Sequence, residues 1–278
     1  MVTRKHALLF FSKPPIPGSV KLRLTKEGGG PFTQTETAEL YRRSMFDVAE
    51  LCCLAMHDLE QENSAERAAN ANAPVQTYDF FVSTTPASNI DVMRQAFEEI
   101  GAWPRPFTYI SDRGRTVGAH LDDAFQQLFD LGYDSVLCVV PDVPLLPREH
   151  VLNGFRWLQH LLEASEKGGI VQAPNQNGFA GLIGWTRTAE IDHYGVPDDE
   201  AGRPALDRYL ERAVRKKIPF ITLPPVNSWG DSNEFAQTTS LARAVQYSQQ
   251  FQPDLYVPIR FLAWVDWRGI RVGAQLEN

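Results

Sequence analysis

The amino-acid sequence predicts an α/β protein built on a largely parallel sheet with helices packed over it. Short apolar runs alternate with longer amphipathic ones along most of the chain, the rhythm of successive β-α units. One run, Ser135–Val140, is apolar throughout after its first residue, as a strand buried on both faces must be. No internal repeat interrupts the pattern.

The elements follow in order. His6–Phe11 reads as the first strand. Thr33–Asp58 reads as a long helix, capped by Thr33 or Thr35, with Leu40, Phe46, Leu51 and Leu54 near one face. Val75–Ser83 is strand-like, and Pro86–Ile100 is helical with proline in its first turn. Phe107–Ile110 is a short strand, Val117–Leu131 a helix, and Pro147–Leu162 another. Ile170–Ala173 and Phe179–Trp185 are strands, Arg203–Lys217 a helix, Ile218–Leu223 the last strand, and Asn233–Tyr247 the last expected helix. Gln61–Pro74 is polar and alanine-rich with no apolar face, and reads as an exposed insertion or a fraying helix extension. The stretch from Phe251 on is unusually apolar. Packing onto its own sheet is the first expectation for it, and a homodimer contact the sharper one.

Composition narrows the function. The 278 residues can bury a sizeable core. A net charge of −7 argues against wholesale nucleic-acid binding and leaves any phosphate binding to a local basic pocket. Three cysteines without Cys-x-x-Cys spacing form neither a disulfide framework nor a zinc site. The N-terminal apolar stretch is too short for a signal segment and no run is long enough to span a bilayer, so a cytoplasmic protein is expected. The dinucleotide fingerprint, the P-loop and the nucleophile elbow are absent. Gly28-Gly29-Gly30 matches none of them and reads as a flexible turn.

Two segments carry the chemistry. The first is FFSKPPIPGSVKLRL, Phe10 to Leu24, where a buried strand runs into a loop holding three prolines, one glycine and the cations Lys13, Lys21 and Arg23. In an open α/β sheet, ligands bind beyond the carboxyl ends of strands, so cations there suit a phosphate-bearing ligand. The second is VLCVVPDVPLLP, where a buried strand delivers Asp142 between two prolines. A carboxylate held there can ligate Mg2+ or Mn2+ alongside ligand phosphates, or serve simply as a turn residue.

The two segments together resemble a bacterial family of uncharacterised GT-A-like, nucleotide-diphospho-sugar transferase-like proteins. Its N-terminal pattern is met at Phe11, Lys13, Pro15, Pro17, Gly18, Val20, Lys21, Arg23 and Leu24. The family is similar to phospholactate guanylyltransferases. The resemblance covers about residues 5–240, leaving out Gln61–Pro74 and the tail beyond Tyr247. It implies a three-layer α/β/α GT-A-like transferase domain over 1–247, with 61–74 inserted and 248–278 as an apolar extension.

It further implies that Lys13, Pro17, Gly18, Lys21 and Arg23 hold a nucleotide or nucleotide sugar, that Asp142 binds Mg2+ or Mn2+, and that Asp231 of NSWGDSNEF supplies a second carboxylate. Asn177 and Gly178 would border the acceptor. The chain departs from the family where an acidic pair becomes Gln176-Asn177 and where Asp-Leu-Gly-x-Arg becomes Thr116-Val117-Gly118-Ala119-His120. Amides cannot act as bases, and His120 reads as a partial replacement for the arginine or as a capping or surface histidine. Three expectations stay open: glycosyl transfer from a nucleotide sugar, nucleotidyl transfer to a phosphorylated small acid, and nucleotide binding without catalysis.

Overall fold

A computed structural model describes residues 2–178, 180–196 and 204–271. The strands are β1 (Thr3–Phe11), β2 (Val75–Thr84), β3 (Thr108–Ser111), β4 (Ser135–Val139), β5 (Ile170–Pro174), β6 (Ala180–Thr186) and β7 (Phe220–Thr222). The helices are α1 (Gln34–Ala69), α2 (Asn89–Glu98), α3 (Val117–Asp130), α4 (Arg148–Ala164), α5 (Ala205–Lys216), α6 (Ser232–Ser248) and α7 (Ile259–Trp267). The expected strand and helix starts at Phe179 and Arg203 lie outside the described residues, as do residues 272–278 of the tail.

The strands form one sheet in the order β3-β2-β1-β4-β6-β5-β7, and only β6 runs antiparallel to its neighbours. β1 lies near its centre, parallel to β2 and to β4, with Phe10 opposite both Val82 and Val139. Alternate side chains of β1 serve two cores. Leu8 and Phe10 belong to a core shared with apolar residues of α1, α2 and α4, whereas Ala7 and Leu9 belong to one shared with α3 and α5. The result is a largely parallel sheet covered by helices, as the rhythm predicts, in the three-layer α/β/α form that the resemblance implies.

Four local readings differ. α1 does not fray after Asp58 but continues to Ala69. Alanine-rich sequence favours the helix, and buried Asn63 anchors it by donating to the Pro74 carbonyl (3.0 Å) and accepting from the Gln76 N–H (3.0 Å). α2 begins at Asn89, so Pro86 belongs to the turn before it and not to its first turn. Gly28 and Gly30 form a close approach: a Cβ at Gly28 would lie 1.9 Å from the Leu22 carbonyl oxygen, and one at Gly30 would lie 2.3 Å from that of Leu24. The tail forms α7, which packs on α1 and α6 rather than on the sheet, burying Phe261, Leu262, Trp264 and Val265.

The anchor of α7 is a carboxylate on another helix. Asp47 of α1 has no exposed side-chain surface and accepts from the N–H groups of Arg260 (3.2 Å) and Phe261 (2.8 Å) and from Arg260 Nη1 (3.1 Å). Those N–H groups belong to the first turn of α7, which has no capping side chain of its own. Glu50 completes the arrangement with bonds to Arg260 at 2.8 and 3.2 Å.

Two predictions follow from this packing. Asp47→Ala leaves two helix N–H groups without an acceptor and Arg260 with Glu50 alone, and should cost about 3 kcal/mol at pH 7.5 by urea denaturation; a loss below about 0.5 kcal/mol would show that the anchor is not stabilising. His6, buried between Ser135 Oγ and Gln76 Oε1 at 2.7 Å each, is lowered by burial to about 4. Between that value and its unfolded 6.5 the folded state binds fewer protons, so this group's stabilisation is complete above pH 6.5. It is lost as pH falls to 4, by about 3 kcal/mol. Asp47 and Asp122, both pushed up to about 6 by burial, contribute the opposite slope. The test therefore compares His6→Gln with the parent across pH 4–7, where the variant should lack the His6 share of the slope; parallel stability curves would refute it.

Candidate functional site

Parallel pairing of β1 and β4 in register brings their exit loops side by side. Two cavities open at that edge and share Phe11, Lys13, Ser19 and Val117 in their walls. The first, about 660 Å³, lies toward β2 and β3 and takes in Thr85, Asn89, Asp112, Arg115, Thr116 and His120. The second, about 480 Å³, lies toward β6 and takes in Lys21, Arg23, Asp142, Asn177, Trp229 and Glu234.

The loop after β1 is shaped by its special residues. Gly18 has φ +76°, where an added Cβ would meet Gln34 Oε1 at 2.8 Å. Pro17 and Gly18 line neither cavity, so they shape the loop, while Lys13 and Arg23 stand exposed on the cavity walls. Neither of these cations forms an ion pair among the described residues.

Lys21 behaves differently. Its backbone is left-handed, at φ 49°, and its side chain is only 9% exposed. The ammonium lies 2.7 Å from Asp142 Oδ2, donates to the Trp229 carbonyl and stands 4.5 Å from the Trp229 ring centroid. The residue expected to meet phosphate and the residue expected to meet metal are thus paired with each other. Trp229 ties the arrangement to the core: its N–H donates to the Asp142 carbonyl (3.1 Å) and its indole N–H to Ser44 Oγ (3.2 Å), which in turn donates to the Pro141 carbonyl (2.6 Å).

Asp231 is the N-cap of α6. Its Oδ1 accepts from the N–H groups of Asn233 (2.9 Å) and Glu234 (3.0 Å), and it does not line the cavity; Glu234 does. Asn177 donates to Glu234 Oε1, while Gln176 forms a reciprocal pair with the Ser228 backbone at 2.8 and 2.9 Å. Gly178, at φ +77°, lies off the cavity, and its carbonyl accepts from Leu206 N–H near the start of α5. Thus Asn177, but not Gln176, is bonded to a carboxylate from α6.

In the first cavity, His120 is neither a cap nor a surface residue. Thr116 caps α3, and His120 Nδ1 lies 2.7 Å from Oδ1 of buried Asp112, at ion-pair distance but out of line for a hydrogen bond. Asp112 Oδ2 accepts from Ser83 Oγ at 2.6 Å. Sequence reading missed Asp112, Arg115, Trp229 and Glu234. Glu234 alone left a signal, since Asp231-Ser232-Asn233-Glu234 has the spacing of a helix N-terminus.

For a metal, Asp142 offers a hard oxygen donor that is 37% exposed on a cavity wall. No group of three or more His, Cys, Asp or Glu among the described residues is arranged to hold an ion. This set fits an ion held by one protein carboxylate, ligand phosphates and water, the habit of Mg2+ and Mn2+, and does not fit an all-protein cage.

Residues 70–194 match the family described as an uncharacterized protein conserved in bacteria (DUF2064). The matched segment runs from the end of α1 past β6, and includes Asp112, His120, Asp142 and Asn177 but not the loop after β1. No curated protein matches the sequence.

Among solved structures, a protein from Desulfovibrio desulfuricans G20, provisionally described as a nucleotide-diphospho-sugar transferase, shares the fold. Its TM-score is 0.61 at 23% identity, over 94% of this chain and 97% of that one. A cytidylyltransferase from Leptospira borgpetersenii (TM-score 0.44, 12% identity, 91% and 97% covered) and the mannosyltransferase PcManGT from Pyrobaculum calidifontis (0.41, 12%, 96% and 69%) are more remote. No helix among the described residues is long and apolar enough to cross a membrane.

The role of Gln176 is testable. Gln176→Glu restores an acid but removes the donor that the Ser228 carbonyl uses, and should destabilise the protein by about 1 kcal/mol in urea; an unchanged or raised midpoint would show that the reciprocal pair is dispensable.

Proposed function

We propose that this protein is a transferase that binds a nucleotide sugar across the two cavities and moves its glycosyl group to an acceptor held near Asn177. The observation that carries the reading is the pair of adjoining cavities at the carboxyl edge of β1 and β4, walled by Lys13, Arg23, Lys21, Asp142 and Asn177. Lys13 and Arg23, exposed and without ion pairs among the described residues, are cations available to a diphosphate, as is Arg115 in the first cavity. Asp142 would hold Mg2+ or Mn2+, which supplies charge neutralisation at the departing diphosphate. The fold shared with the Desulfovibrio protein supports the same reading.

The chain's own residues then have separable duties. Lys13 and Arg23 bind the phosphates, Trp229 and Ser44 fix the loop that bears Asp142, and Asn177 with Glu234 offers an amide and a carboxylate to acceptor hydroxyls.

Titration of the purified protein with a panel of nucleoside triphosphates and nucleotide sugars, with and without Mn2+, tests this. Metal-dependent binding of a nucleotide sugar is expected. Lys13→Ala should weaken that binding about tenfold, equivalent to about 1.4 kcal/mol, and Asp142→Ala should abolish its metal dependence. Absence of any nucleotide binding would overturn the proposal, and metal-stimulated pyrophosphate release from a triphosphate would replace it with nucleotidyl transfer.

A further inference from the structure

We infer that Lys21 is a positioning residue that occupies the cation position at Asp142, so that a divalent cation and an anionic nucleotide bind there interdependently. The inference rests on the nucleotide-binding reading above and adds the order imposed on it by this side chain.

Three observations lead to it. The Lys21 ammonium is 2.7 Å from Asp142 Oδ2, where a metal coordinated by that oxygen would face it as a like charge. The lysine is poorly exposed and held by a carbonyl and an aromatic face besides the carboxylate, so it is a fixed counter-ion rather than a mobile surface cation. Its backbone is in the left-handed region, an unfavourable conformation for a residue with a side chain, at the point where the loop turns toward Asp142.

The linkage follows from charge balance. A metal arriving alone must share Asp142 with an ammonium. A nucleotide diphosphate arriving alone can draw on Lys21 only by leaving Asp142 without its partner. Arriving together, the diphosphate takes the ammonium and the metal takes the carboxylate, and every charge keeps a counter-charge. Each ligand therefore raises the affinity of the other by the same factor. Lys13 and Arg23 cannot produce this effect, because neither is paired with a carboxylate that the metal would use.

The test measures Mn2+ affinity of the full chain by electron paramagnetic resonance of free Mn2+, first without nucleotide. Lys21→Met should bind Mn2+ at least tenfold more tightly than the parent, Lys21→Arg should stay close to the parent, and Lys21→Met with Asp142→Asn should lose the gain. A merely structural lysine would not produce tighter metal binding on removal. Equal or weaker affinity in Lys21→Met overturns the inference.

If Lys21→Met does not fold, the parent alone decides. Its Mn2+ affinity should rise at least tenfold in saturating UDP or GDP, whichever binds, and an unchanged affinity overturns the inference while the nucleotide-binding reading stands. If neither nucleotide nor any member of the panel binds, both fall.

Discussion

The pairing of β1 with β4 is the constraint on which the candidate site depends. These strands are parallel and in register, so their chains leave the sheet at the same level, one into the cationic loop and the other into the Asp142 turn. Residues separated by 121 positions are thereby held 2.7 Å apart. Neither loop could be repositioned without sliding a strand whose alternate side chains are packed into two different cores, and a slip of one residue would exchange those faces. The rigidity of the sheet is what allows an exposed carboxylate and a poorly exposed ammonium to keep a fixed relation.

Around that constraint the structure divides labour between shape and charge. Gly18, Gly178 and Pro17 shape loops without touching the cavities. Trp229 and Ser44 pin the Asp142 turn to α1 through hydrogen bonds from both the backbone and the indole. Charged groups then fall into two kinds: Lys13 and Arg23 open to ligand, and Lys21 already answered by Asp142. On the far wall, Gln176 holds backbone, while Asn177 and Glu234 form a polar pair of the sort that hydroxyl groups can join.

Much of this was legible in the sequence. The β-α rhythm located the seven strands among the described residues, the buried ones through their continuous apolar runs, and the strand ends of β1 and β4 then pointed to Lys13, Lys21, Arg23 and Asp142. The pairing of Lys21 with Asp142 was not legible, since it is a product of strand order and not of local pattern. Asp231 was read as a ligand because the family resemblance implies a second acidic motif there, yet an aspartate also satisfies helix N–H groups, and here capping takes its Oδ1. α7 escaped because Ile259–Trp267 is apolar on nearly all sides, without the polar face that marks a surface helix. His120 could not be placed because its partner, Asp112, comes from a different sheet-edge loop.

The anchoring of α7 also bears on how the chain is made. Asp47 leaves the ribosome 213 residues ahead of Arg260, so during synthesis a carboxylate destined for full burial waits without its counter-ion. The apolar face of α1 destined for Phe261 and Leu262 also stays uncovered. Contacts of such long sequence separation form late, and the α1 layer can close only after α7 emerges. A chain that ends before α7 therefore keeps that apolar face uncovered and Asp47 without its counter-ion.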